Sequence, residues 1–177
     1  GLSDRVEEID VTPRIDHLDT ILAHSPAGKV PVLVTDAGTG LCETLLITRY
    51  LDDLAGGGLY PAASDARERE LWLEAQGSAL MDSYYMRREA HVWAGDGDDL
   101  PGRATEAERS NRLIDALVPH LNEMDPTRIG ALTIACALGY ADWRHADLAW
   151  RQERPALAQW FEETGRLEIY ARTAPVF

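Results

Sequence analysis

Cysteine is scarce: 177 residues hold two, Cys42 and Cys136. They lie far apart and form no C-x-x-C pair, which excludes a local cysteine-based metal or dithiol site. A chain of this length buries about 70% of its unfolded surface, so a core forms without disulfide staples. Positive charge is also scarce. Lys and Arg total 17 against 30 Asp and Glu, the formal net charge is −13, and Lys29 is the single lysine. Nucleic acid and anionic membrane surfaces are therefore not expected partners, since both are held by basic patches. Long apolar runs are missing as well. The longest, Ile129 to Tyr140, has 12 residues including two glycines, too short for a bilayer and suited to a buried helix. The histidines at 17, 24, 91, 120 and 145 show no ligand spacing, so no metal is expected. The opening residues carry Asp4, Glu7, Glu8 and Asp10 where a signal peptide would be basic and then apolar; a cytoplasmic location is the expectation.

What remains is ordinary globular material, 45% hydrophobic and 27% charged. The first sixty residues read as α/β. Arg5–Val11 is β-branched and ends before Thr12-Pro13, as a strand does. Ile15, Leu18, Ile21 and Leu22 recur at helical spacing. Pro26-Ala-Gly28 is a turn, and Val30–Thr35 is a strand with Pro31 at its start, where no ladder N–H is lost. Asp36–Gly40 reads as a hairpin loop and Leu41-Cys42 as the return strand. Thr44–Leu54 is a helix with Leu46, Tyr50, Leu51 and Leu54 on one side, ended by Ala55–Gly58.

The rest reads as all-helical. Leu59–Ser64 is a linker, and Asp65 to about Ala94 is one long helix. Gly95–Gly102 is an acidic surface loop. Thr105-Glu-Ala-Glu108 forms a capping box for a helix carrying Leu113, Leu117 and Leu121, which Pro119 should shorten or kink. Ile129–Trp143 is apolar nearly all round and should sit centrally, Cys136 with it. A last helix opens near Pro155 and closes at Gly165. The expected organisation is an α/β domain over 1–58 and an all-α domain over 65–177, an α+β chain overall.

Two segments carry the chemistry. A proline beginning a strand cannot donate from its nitrogen. If the Val30–Pro31 bond is cis, the backbone N–H and C=O of Val30 turn to solvent, where an extended peptide could add as a strand; a plain turn proline is the other reading. At Glu43-Thr44 a helix begins. Thr44 could simply cap its own helix. Alternatively, the open N–H groups and the Thr44 hydroxyl hold a carboxylate while Glu43 binds an ammonium, together one end of an amino acid. Cys42 beside them reads more readily as core than as an activated thiol.

Ser25-Pro-Ala-Gly-Lys-Val-Pro-Val-Leu33, followed by a hairpin and Glu43-Thr44, resembles the glutathione S-transferase superfamily. Glu74–Asp82, Thr133–Arg144, Arg154–Trp160 and Ala171–Pro175 resemble the helical domain of its bacterial branch. The resemblance covers nearly the whole chain and implies a thioredoxin-like first domain and a helical-bundle second one. It implies that Val30 and Pro31 pair with the cysteinyl backbone of glutathione, and that Glu43 and Thr44 hold its γ-glutamyl end. Thr44 stands where the family has Ser. Lys29 would reach the glycyl carboxylate; an exposed strand-edge lysine is the equal alternative. Met81, Tyr84, Tyr85 and Arg88 would line the electrophile pocket, although their spacing alone shows only a helix with aromatic residues. Cys136 replaces the aspartate of an S/T-x-x-D helix cap, which should weaken that cap.

Gly1–Glu7 resembles the end of the family's first helix running into its second strand. The first strand and most of the first helix, with the catalytic Tyr, Ser or Cys, are therefore expected ahead of Gly1. The resemblance thus implies glutathione as co-substrate, a small electrophilic partner, conjugation by thiolate attack in a detoxifying role, and a homodimer. A non-catalytic binding or scaffold protein of the same fold is the alternative.

Overall fold

The computed structural model describes residues 2–12, 17–94 and 101–173. Contacts divide the chain into two units, residues 1–58 and 59–177, each taken by itself below.

In the first unit, Val32–Val34 (β1) and Gly40–Cys42 (β2) form an antiparallel pair. Val32 lies across from Cys42, Leu33 from Leu41 and Val34 from Gly40. The loop between them closes through Thr35, whose N–H bonds to the Thr39 carbonyl at 3.0 Å and whose hydroxyl accepts the Thr39 N–H at 3.2 Å. A short helix, Leu18–Leu22 (α1), precedes the pair and buries Ile21. Its exit is pressed against the hairpin: a Cβ at Gly40 would run into the His24 carbonyl, so only glycine fits there. Helix Thr44–Leu54 (α2) follows β2 directly.

One expectation fails in this unit. Residues 6–12 form no regular secondary structure. Among the described residues the sheet has two strands, and a groove of about 820 Å³ separates Val6–Val11 from Val30–Val34. A β-branched run becomes a strand only with a hydrogen-bonded neighbour, and none is present. In α2 the stripe of Leu46, Tyr50 and Leu54 is exposed, while Asp52 is buried. Ile15, expected in α1, lies outside the described residues.

The second unit is built on Ser64–Ala94 (α3) and Ile129–Arg144 (α5), whose mutual packing is the most extensive between any two elements. Leu73, Gly77, Leu80, Tyr84 and Arg87 recur every three or four residues along α3 and are all buried. This is the stripe a helix presents to a neighbour. Ile134, Ala137, Leu138 and Ala141 of α5 meet the same core, with Ile114, Leu117 and Leu157. Cys136 faces out instead of joining that core.

The start of α5 is set from a distance. Its N-cap residue Arg128 makes no side-chain cap, and Glu70 of α3 accepts the Gly130 N–H at 3.0 Å. Burial pushes the Glu70 carboxyl up from its ordinary pKa, and this hydrogen bond opposes the shift. A Cβ on Gly130 would fall 2.5 Å from Leu73 Cβ and 2.9 Å from Glu70 Oε2, so α5 approaches only because that position is glycine. Thr133 lies one turn inside the helix, donating to the Ile129 carbonyl at 2.9 Å. The S/T-x-x-D position therefore caps nothing, and the aspartate missing at Cys136 leaves no defect there.

Helix Pro101–Leu117 (α4) begins four residues before the expected capping box. Proline at the first helical position supplies the start, and Glu106 of that box accepts from Ser83 at 2.9 Å and Arg109 at 2.5 Å. Residues 95–100 of the expected acidic loop lie outside the described residues. The α-helix stops at Leu117, and Pro119 falls in a 3-10 turn, Val118–Glu123, as a ring without an N–H dictates. Trp150–Glu153 (α6), Pro155–Gly165 (α7) and Glu168–Ala171 (α8) complete the unit. The expected linker is anchored: Tyr60 is buried, its hydroxyl donates to Glu74 at 2.6 Å, and the Leu59 carbonyl accepts from Ile129 at 3.3 Å.

Candidate binding site

The hairpin register brings the two candidate segments together. Each observed pair sums to 74, as in Val32 with Cys42. The ladder ends at Val32 and Cys42, so Lys29–Pro31 enter and Glu43-Thr44 leave at the same end of the hairpin.

The Val30–Pro31 bond is cis. Val30 is 49% exposed, and its backbone N–H and C=O have no partner among the described residues. Lys29 is exposed and joins no ion pair among those residues. Glu43 is exposed and adopts φ 74°, the left-handed region. For a residue with a Cβ this conformation costs about 1–2 kcal/mol, and it redirects the chain from β2 into α2 within one residue. Glu43 is the N-cap residue and its side chain makes no cap bond; its carboxylate stays free to point outward. Its carbonyl accepts from Leu46 at 3.0 Å and Ile47 at 3.1 Å. The N–H groups of Thr44 and Leu45 have no acceptor among the described residues. Thr44 is thus the first helical residue and does not cap its own helix. Two open N–H groups and a hydroxyl at the positive end of an 11-residue helix favour a carboxylate. Cys42, half-buried, ends β2.

In the helical unit the four candidate side chains do not share one environment. Met81 packs on the core. Tyr84 is 0% exposed, its hydroxyl lacks a partner among the described residues, and burial pushes its pKa upward. It lines no open surface. Tyr85 is 42% exposed, and Arg88 is half-buried with Nη1 3.1 Å from Glu89 Oε1.

Sequence reasoning missed three side chains beside these. Tyr140, Trp143 and Arg144 occupy one face of α5 at i, i+3 and i+4. The Tyr140 and Trp143 rings stand edge to face at 6.0 Å, and the Arg144 guanidinium lies 3.2 Å from the Trp143 ring centroid. Burial pushes the Tyr140 phenol up in pKa, while Arg88 and Arg144 oppose that shift from both helices. The clue was the Tyr140-Ala-Asp-Trp-Arg144 spacing in a chain poor in aromatics and basic residues. Among the described residues no cluster of His, Cys, Asp and Glu could hold a metal, and no helix is long and apolar enough to cross a membrane.

Comparison with known proteins decides the family. The family described as glutathione S-transferase, N-terminal domain, matches residues 1–54. The uncharacterized GST-like protein YibF of Escherichia coli (strain K12) is 30% identical over 158 residues, covering 85% of this chain and 77% of YibF. The chain belongs to the glutathione S-transferase superfamily. A glutathione transferase family member from Pseudomonas fluorescens Pf-5, solved with bound glutathione, superposes with a TM-score of 0.79 at 30% identity, over 90% of this chain and 80% of that one. A second structure of a Pseudomonas fluorescens Pf-5 family member, with bound S-(propanoic acid)-glutathione, gives 0.75 at 31% identity, over 86% and 80%. The small sheet with its helices is accordingly the thioredoxin-like part of a transferase fold, and residues from Leu59 onward are its helical part.

Proposed function

We propose that this chain binds glutathione at the open end of the hairpin and conjugates it to a small electrophile. The observation that carries the reading is Glu43. Its left-handed backbone turns the chain into α2, so that its free carboxylate, two open helix N–H groups and the Thr44 hydroxyl follow the end of β2 just as the open backbone of Val30 precedes β1. Glutathione has the complementary groups in the same order. Its α-ammonium matches Glu43 and its γ-glutamyl carboxylate matches the start of α2. The cysteinyl N–H and C=O match the Val30 backbone ahead of Pro31, and the glycyl carboxylate matches Lys29. The two Pseudomonas fluorescens structures, which hold glutathione and a thioether of it, support the ligand class.

In the proposed reaction the thiol gives up its proton, and the thiolate sulfur attacks an electrophilic carbon. The C–S bond forms as the leaving group departs with its bonding pair. Holding the tripeptide at several points supplies the orientation that makes the attack effectively unimolecular. Met81, Tyr85 and Arg88 are the proposed contacts of the electrophile, with Tyr84 supporting them from the core. Homodimer assembly and a cytoplasmic, detoxifying role complete the proposal.

Calorimetric titration with glutathione tests the site. Glu43→Ala should weaken binding about tenfold, the loss of one charge-assisted contact. Unchanged binding in that variant, or no binding by the parent protein, overturns the site. Binding without turnover of an aromatic halide would instead select the non-catalytic scaffold reading.

A further inference from the structure

We propose that the groove between Val6–Val11 and β1 takes up an extended, apolar peptide carrying basic residues, which adds to β1 as a third strand. The open edge follows from the hairpin's own hydrogen bonds. The Thr35 N–H bonds to the Thr39 carbonyl, so Thr35 and Thr39 are a hydrogen-bonded pair. Bonded and non-bonded pairs alternate along an antiparallel ladder. In the observed register Leu33 is then bonded to Leu41, and the N–H and C=O groups of Val32 and Val34 point away from β2. Among the described residues no further strand pairs with that edge. The backbone of residues 6–11, which also lines the groove, likewise has no hydrogen-bond partner among them.

A peptide backbone is what such an edge selects. Its donors and acceptors recur at every second residue, a spacing that an added strand matches and a compact small molecule does not. The lining selects the side chains. Val6, Ile9 and Val11 line the groove with Ile21 of α1 and Ile47 of α2, and apolar side chains leave water there. Charge selects the flanks. Glu7, Glu8 and Asp10 also line the groove, are exposed, and join no ion pair among the described residues; no Lys or Arg lines it among those residues. These carboxylates attract a basic residue on the incoming strand, and an acidic one is repelled both by them and by a chain of net charge −13. The same charge disfavours a second copy of this chain, whose own unpaired stretch carries Glu7, Glu8 and Asp10. The inference stands on the edge of β1 beyond Pro31 and does not rest on the glutathione reading.

The probe is the peptide acetyl-Lys-Val-Lys-Val-Thr-Val-amide, added to the isotope-labelled full chain without glutathione. Backbone amide hydrogen exchange is the readout. At saturating peptide, exchange at Val32 and Val34 should slow at least about tenfold, while Leu33, already bonded to β2, changes little. The same peptide with Glu in place of Lys should bind at least about tenfold more weakly. The double variant Glu7→Gln, Asp10→Asn, at two exposed positions, should weaken the basic peptide about threefold, and the unchanged remainder of the spectrum verifies its fold. No added protection at Val32 and Val34, equal binding of the two peptides, or unchanged affinity in the double variant overturns the proposal. So does protection of that edge in a dimer formed before any peptide is added, which would make the occupant a second copy. Because glutathione is absent, a negative result here leaves the hairpin-end site standing, and loss of that site leaves this one.

Discussion

In the helical unit Leu73, Leu80, Ile114, Ile134, Leu138 and Leu157 are fully buried, whereas among the described residues of 1–58 the buried hydrophobic side chain is Ile21, and Leu45, Leu46 and Leu54 lie exposed. Each fully buried aliphatic side chain contributes about 2 kcal/mol, so the hydrophobic stabilisation is concentrated in the larger unit. The smaller unit is shaped by backbone constraints instead: a glycine that alone fits against His24, a left-handed Glu43 and a cis Pro31. Those constraints place polar groups at the surface. The contrast separates a part that holds the hydrophobic core from a part that leaves polar backbone and side-chain groups at its surface.

The sharpest way to break that division is to damage each part separately. Leu138→Ala should cost about 3 kcal/mol of global stability, as truncation of a fully buried leucine does. Chemical denaturation measures it, and glutathione affinity extrapolated to the folded state should stay within about twofold of the parent. A strong loss of affinity would show that the two parts are not separable. Gly40→Ala reverses the expectation. The forced movement away from the His24 carbonyl should cost about 1–3 kcal/mol and disturb the register of β1 against β2. Glutathione affinity should then fall at least about tenfold, while the near-ultraviolet dichroism of the helical unit is retained.

A smaller effect concerns pH. His145 is buried, and its Nε2–H donates to the Tyr84 carbonyl at 2.9 Å. Burial lowers its pKa; that hydrogen bond and Asp147 oppose the shift, while Arg87 and Arg103 add to it. The unfolded chain therefore takes up a proton near pH 6.5 that the folded chain does not. Stability is full above that pH and declines as the pH falls below it. Between pH 7.5 and 5.5 the loss should be about 1.4 kcal/mol at most. His145→Gln should flatten this part of the profile, as read by melting at both pH values. An unchanged slope in the variant would assign the dependence elsewhere.

Legibility in the sequence followed locality. The strand of Val32–Val34, the hairpin and the helix after Glu43 were readable because adjacent residues specify them. So was α5, whose apolar character on every side places it centrally whatever its neighbours. Arg5–Val11 was misread because a ladder depends on a partner distant in sequence. The α2 stripe was found, but periodicity says where apolar residues lie and not which face is covered. Tyr84 and Tyr85 show the same limit: one residue rotates a side chain by about 100° around a helix, enough to separate core from surface. The cap on α5 was invisible because Glu70 and Gly130 are 60 residues apart. The candidate residues around Val30 and Glu43 were legible as chemistry, but the left-handed backbone at Glu43 was not, since nothing in Cys-Glu-Thr demands it.

The central claim is that glutathione lies across the hairpin end between the Val30 backbone and the first turn of α2. Titrating isotope-labelled protein with glutathione and following each backbone amide tests this most directly. The account predicts that the largest shifts fall on Val30, Glu43, Thr44 and Leu45, with the core of the helical unit silent. Shifts confined to other residues, or none at saturating glutathione, would contradict it.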